Sequence, residues 1–344
     1  MTSTDIRADN PLSRLLAERP WLIADGATGT NLFAMGLEAG EAPELWNVDA
    51  PEKITALYQG FIDAGSDLIL TNSFGGTRAR LKLHNAQDRA PELNRIAAEL
   101  ARECADKADR KVIVAGSMGP TGELLVPVGP LTHEAAVEMF QEQAEGLMAG
   151  GADVLWAETI SSEEEMRAAS EAAANIGAPF CGTMSFDTAG RTMMGVTSAA
   201  YAGIAATLPA TPIAFGANCG TGAPDLLRTL LGLSEAAPGK ALIAKANAGI
   251  PKYVDGKIEY DGTPELMGKY ACIARDSGAR IIGGCCGSKP VHIRAMRDAL
   301  ENTPPSPTRP TLADIEREIG AFSSADDGTS GAEAPKRERR RKRS

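Results

Sequence analysis

From Trp21 onward the chain repeats one pattern: a short apolar run, a Gly-rich or polar loop, then a stretch with apolar positions at helical spacing. The apolar runs predict strands at 22–24, 67–71, 112–116, 154–157, 180–185, 213–216, 242–245 and 280–283. Helical patterns fall between and after them, at roughly 51–64, 90–108, 132–149, 162–176, 197–207, 222–236, 263–277 and 289–301. Thr132 ahead of Glu134, and Ser161 and Ser162 ahead of three glutamates, are helix-start signals. Eight strands alternating with eight helices predict an α/β fold, a parallel (β/α)8 TIM barrel, with an open doubly wound sheet as the rival. The polar clusters follow the strands: 25–29, 71–75, 119–122, Glu158 and Thr159, Cys219, Asn247, and Cys285 with Cys286. In a closed barrel those positions share one rim, where the active site lies.

The barrel is expected to occupy residues 1–302. Residues 303–322 read as a proline-rich linker and a short amphipathic helix, marked by Leu312, Ile315, Ile319 and Phe322. That helix could dock on the barrel or on another subunit, which would make a homo-oligomer. Residues 323–344 read as a disordered tail, basic between Lys336 and Arg343. A length of 344 residues suits one large barrel, and 43% hydrophobic residues are ample for its core. The formal charge of −10 argues against nucleic acid as a partner of the body. Residues 1–20 contain no continuous apolar segment, and no stretch is apolar enough to span a membrane, so a cytoplasmic location is expected. In a reducing compartment the six cysteines are thiols or metal ligands rather than disulfides.

Cys104, Cys181 and Cys272 fall inside helix or strand patterns and read as small buried hydrophobes. Cys219, Cys285 and Cys286 differ, because all three sit at strand exits beside glycines. Neighbouring cysteines bridge each other only with strain, yet both can face one ion. Three thiolates from two strand ends form an open tetrahedral zinc site with a place for a fourth ligand. A protein fourth ligand is hard to find: His84 and His133 fall in or before helices, and His292 lies one turn into the last helix, on its outer side. Zinc held by three thiolates is a poor Lewis acid for hydrolysis but holds a substrate thiol as an electron-rich thiolate. Such a thiolate attacks an electrophilic carbon, most simply a methyl group. Asp25 and Glu158 each end a strand and together could hold a substrate ammonium; the alternative is that they cap helices or balance charge.

Five motifs carry a family resemblance that runs from about Trp21 to Leu300: Asp-Gly-Ala-Thr-Gly-Thr at 25–30, Thr-Asn-Ser-Phe-Gly at 71–75, Gly-Pro-Thr-Gly-Glu at 119–123, Gly-Ala-Asn-Cys at 216–219 and Gly-Gly-Cys-Cys-Gly at 283–287. On these the chain resembles the homocysteine S-methyltransferases, which include betaine–homocysteine methyltransferase and the homocysteine domain of cobalamin-dependent methionine synthase. The resemblance implies a barrel whose Zn2+ is held by Cys219, Cys285 and Cys286, with the homocysteine sulfur as fourth ligand. It implies Asp25 and Glu158 at the substrate ammonium, and backbone groups around Gly26 and Ala27 at its carboxylate. The implied donor is betaine or a methylated corrinoid on a separate protein. Gly75 and Thr159 stand where the animal betaine enzymes have cage aromatics, although Trp46 could supply one wall of such a cage. The other readings are a non-catalytic thiol or zinc-binding module and a barrel methyltransferase acting on another thiol.

Overall fold

A computed structural model describes residues 10–254 and 257–326. The strands in chain order are β1 (Leu22–Ile23), β2 (Leu68–Leu70), β3 (Ile113–Met118), β4 (Val154–Ile160), β5 (Phe180–Met184), β6 (Ala214–Cys219) and β7 (Leu242–Ala246). A two-stranded antiparallel insertion follows, β8 (Pro251–Val254) and β9 (Lys257–Tyr260), and then β10 (Ala279–Gly284). Eight of them form one parallel sheet in the order β1-β10-β7-β6-β5-β4-β3-β2. A parallel bridge between Ala24 and Leu68 joins its two edges, which gives the predicted (β/α)8 TIM barrel rather than the open sheet. Asp67 completes this seam: its N–H donates to Ile23 O at 2.6 Å and its carboxylate accepts from Ile23 N at 2.8 Å.

Strand alternation divides the core in two. Leu22, Leu68, Leu70, Ile113, Val154, Trp156, Ile243 and Ile281 belong to a cluster of buried barrel residues. Neighbouring positions such as Ile23, Ile69, Val114, Leu155 and Ile282 pack with the helices in a larger cluster. The inner cluster also takes Leu12, Leu15 and Leu16 of the helix Pro11–Glu18, so an N-terminal helix closes the barrel. That helix starts cleanly because Asn10 accepts from the N–H groups of Leu12 and Ser13, with Pro11 in the first turn.

The predicted late helix is Leu312–Glu318, and it packs on its own barrel, with Ile315 and Ile319 in the outer core. Beyond it, Arg228 stacks 4.7 Å from the Phe322 ring centroid and donates to Ser324 O, while Asp225 accepts from Ser323 N. The rest of the expected tail, from residue 327, lies outside the described residues. Among the described residues no helix is long and apolar enough to cross a membrane.

Candidate functional site

The sulfurs of Cys219, Cys285 and Cys286 converge at the C-terminal rim, each within 4.8 Å of the others. β6 delivers Cys219 as its last residue, and the turn after β10 delivers the other two. Backbone bonds fix this turn: Cys285 N donates to Ala246 O at 2.7 Å, Ala248 N to Cys286 O at 2.9 Å, and Ser288 N to Cys285 O at 3.0 Å. Cys219 is held at φ +63° and Thr159 at +62°, left-handed conformations that cost non-glycine residues energy. One side chain, from the residue before Cys219, ties Thr159 to the thiol cluster. Asn218 Oδ1 accepts from Thr159 N at 2.8 Å, and its Nδ2 donates to Thr159 Oγ1 at 2.7 Å and lies 3.7 Å from Cys285 Sγ.

The crowding has an electrostatic consequence. Hydrogen bonds from the Cys219 and Cys285 thiols push the Cys286 thiol down, and the same sharing with Cys285 and Cys286 pushes Cys219 up. Ionising all three sulfurs at this spacing requires a cation among them. The spacing suits one. Tetrahedral zinc with bonds of ~2.3 Å places its sulfurs about 3.8 Å apart, and Cys219 Sγ and Cys286 Sγ are separated by 3.9 Å. Buried Asn247 donates at 2.8 Å to the O of Gly220, the neighbour of Cys219 in the chain, while its Oδ1 has no hydrogen-bond partner among the described residues. Three soft sulfur donors fit zinc.

The thiols line a cavity of about 470 Å3 together with Gly26, Thr28, Glu158, Lys245 and Tyr260. Burial lifts the Glu158 carboxyl to about 7, against the opposing pull of Lys245, and Ser117 Oγ donates to its Oε1 at 2.5 Å. Asp25 is not among the lining residues. It sits one layer back, with Oδ1 accepting from Lys245 Nζ and Oδ2 from Leu70 N, both at 2.7 Å. Lys245 thus places a buried cation between the two expected carboxylates.

Gly26 has no space for a side chain: a Cβ there would lie 2.8 Å from both Phe61 Cε1 and Ser288 O. The Ala27 N–H donates to Ser288 O at 3.2 Å. The backbone N–H groups of Gly29 and Thr30, which open the helix Gly29–Ala34, are the neighbouring donors at the cavity wall. His292 is buried rather than on the outer side of its helix. Its Nδ1 accepts from Lys289 N at 2.9 Å and its Nε2 lies 3.0 Å from Gly262 O, so it caps the helix start. Cys104 and Cys181 are buried as expected, whereas Cys272 is half-buried. Trp46 does not line the cavity; Lys53 Nζ covers its ring at 4.1 Å from the centroid, which leaves that face unavailable as a cage wall. The aromatics at the cavity are Phe33, Phe74 and Tyr260.

Lys245, Asn218 and Tyr260 were not legible as site residues. Lys245 ends an apolar run, so the only signal was a charge at a strand exit.

Fold and centre together define a class: a (β/α)8 barrel with three cysteines that could hold a metal ion gathered at the C-terminal rim of its strands. Residues 22–300 match the family model described as homocysteine S-methyltransferase, and the chain belongs to that family. It is 30% identical over 321 residues to the methionine synthase of Mycobacterium tuberculosis (strain ATCC 25618 / H37Rv), covering 88% of this chain and 26% of that protein. The chain therefore spans about a quarter of that relative's length. Among solved structures it is similar to the homocysteine methyltransferase MmuM from Escherichia coli. The metallated form gives a TM-score of 0.70 at 26% identity, covering 84% of this chain and 99% of that one. The oxidised form gives 0.69 at the same identity and coverage.

Proposed function

We propose that the protein is a zinc-dependent homocysteine S-methyltransferase that forms methionine, its donor being betaine or a related onium compound, or a methylated corrinoid on a separate protein. The observation that carries this reading is the convergence of three thiols on one wall of a cavity that also presents the half-buried Glu158 carboxyl and the buried Lys245. Cys219, Cys285 and Cys286 would hold the zinc, which when bound supplies the positive charge that keeps the substrate sulfur as thiolate at neutral pH. The chain's residues do the rest. Glu158 receives the homocysteine ammonium, and the N–H groups at Gly26, Gly29 and Thr30 receive its carboxylate. Asp25 acts through Lys245, holding that ammonium ion in place by a 2.7 Å contact. The apolar walls exclude water, so catalysis comes from aligning sulfur and methyl carbon rather than from a general base.

The deciding experiment combines metal analysis with a donor panel of betaine, S-methylmethionine, dimethylated sulfonium compounds and methylcobalamin, each with homocysteine. Methionine from at least one donor is expected; none from any donor would leave a thiol or metal-binding module as the better description. Glu158→Ala should raise the homocysteine KM about 10- to 100-fold, the worth of a charged hydrogen bond, with a smaller change in kcat. An unchanged KM would remove Glu158 from the substrate site. Deleting residues 327–344 should leave methyl transfer intact, and a loss of activity would instead give the basic tail a catalytic part.

A further inference from the structure

The cavity has a second set of charges that the proposed homocysteine contacts do not use. The sulfurs, Glu158 and Lys245 stand at strand ends, while Glu44, Arg80 and His84 enter the lining from segments beyond the strands. Arg80 is half-buried, and among the described residues its guanidinium makes no hydrogen bond and no ion pair. Arg78, two residues earlier on the same short helix Arg78–Leu81, is bonded to both carboxylate oxygens of Glu142. The Glu44 carboxyl feels the charge of Arg80 without a direct contact, so the guanidinium N–H groups, drawn partly out of water, stay open to the charged hydrogen bonds that an arriving anion offers. The loop after β3 makes room for it: a Cβ on Gly122, where φ is +81°, would stand 3.1 Å from Arg80 Nη1.

Two further features complete this wall. Glu44 is 5% exposed, and Gly75 N donates to its Oε1 at 2.6 Å. Phe33 and Phe74 line the same cavity with 53% and 37% of their surface exposed, as ring faces that attract methylated cations. An unpaired cation, a buried carboxyl and exposed rings around one space are the complement of a small zwitterion with an onium centre. A methylcobalamin donor would need a broad docking face.

We infer that Arg80 is a specificity-determining residue that takes the carboxylate of the methyl donor, and that the donor is a small methylated ammonium or sulfonium carrying such a group. The inference rests on the methyl transfer proposed above. In the reaction the homocysteine thiolate forms the new S–C bond while the onium–methyl bond breaks. The bonding pair stays on the donor's nitrogen or sulfur, so one thiolate and one onium become two uncharged groups with no further reactant.

The test uses the full-length, zinc-loaded protein with betaine, S-methylmethionine, their methyl esters and methylcobalamin as donors. Arg80→Ala should raise the KM of the carboxylate-bearing donor about 30-fold and change the homocysteine KM less than about 3-fold, with Arg80→Lys recovering part of the loss. Wild type should use the esters no better than the alanine variant does. Calorimetric titration of the same donors into homocysteine-free protein reports binding without turnover, and the alanine variant should lose the heat seen with wild type. If the homocysteine KM rises instead, or if methylcobalamin is the one working donor, the inference falls while the methyl transfer stands. If no donor yields methionine the reaction reading falls, and calorimetry alone judges the subsite: heat in wild type lost at Arg80→Ala supports it, and no heat in wild type overturns it.

Discussion

Replacing Cys285 with alanine is expected to abolish metal binding and methyl transfer together. The backbone at this position is held independently of the sulfur, by the bonds from Cys285 N to Ala246 O and from Ser288 N to Cys285 O, so the loop should keep its course. What disappears is one of three soft ligands. Changes beyond the ligand set cost roughly 10- to 100-fold in metal affinity, and loss of a ligand itself should cost at least ~10³-fold, with activity falling in parallel. Metal stoichiometry after dialysis, measured beside methionine formation, checks this. Cys181→Ala is the control: its sulfur lies fully buried inside the barrel, away from the cluster, and its removal should leave metal content unchanged. A Cys285→Ala protein with full zinc and full turnover would overturn the assignment of the centre.

The eight barrel strands were legible because each is a short apolar run between polar loops, and the observed strands differ from the predicted ones by no more than a few residues at either end. The helix Pro11–Glu18 was missed because its apolar positions, Leu12, Leu15 and Leu16, precede the repeat and gain meaning only once the barrel needs closing. The insertion β8–β9 breaks the strand–helix rhythm and falls between the predicted strand 242–245 and the predicted helix 263–277. Cys219, Cys285 and Cys286 could be picked out because thiols at strand exits have few purposes. Asp25 and Glu158 looked equivalent in sequence, yet the fold separates them: one faces the cavity, the other faces a lysine. Nothing local announces that division, since it arises from β7 running beside β10 and bringing Lys245 next to Gly283. Trp46 failed for a related reason, because the chain does not disclose that Lys53, one helix later, lies over its ring.

Lys245→Met should be the most destabilising single change in the site. Lys245 and Asp25 are each 2% exposed in their side chains, and they pair at 2.7 Å. Methionine matches the stem in size but leaves the buried Asp25 carboxyl and the half-buried Glu158 carboxyl without their cation, a loss of about 3–5 kcal/mol at neutral pH. The effect should depend on pH in a fixed direction. Burial raises the Asp25 carboxyl above its ordinary value, with Lys245 the main influence holding it down, and burial lifts Glu158 to about 7. Without the lysine both rise further. A carboxyl whose folded pKa exceeds its unfolded value carries no penalty below the unfolded value near ~4, and the penalty grows as pH rises through the folded one. The difference in unfolding free energy between wild type and Lys245→Met should therefore be smaller at pH 5 than at pH 8, as measured by denaturant titration of chelator-treated protein. Adding Asp25→Asn, which keeps an acceptor for Leu70 N without the charge, should recover part of the loss at pH 8. A deficit that is the same at both pH values and indifferent to Asp25→Asn would mean that Lys245 acts by packing against Trp156, whose ring centroid lies 5.7 Å from Nζ, and not as the counter-ion of the two carboxyls.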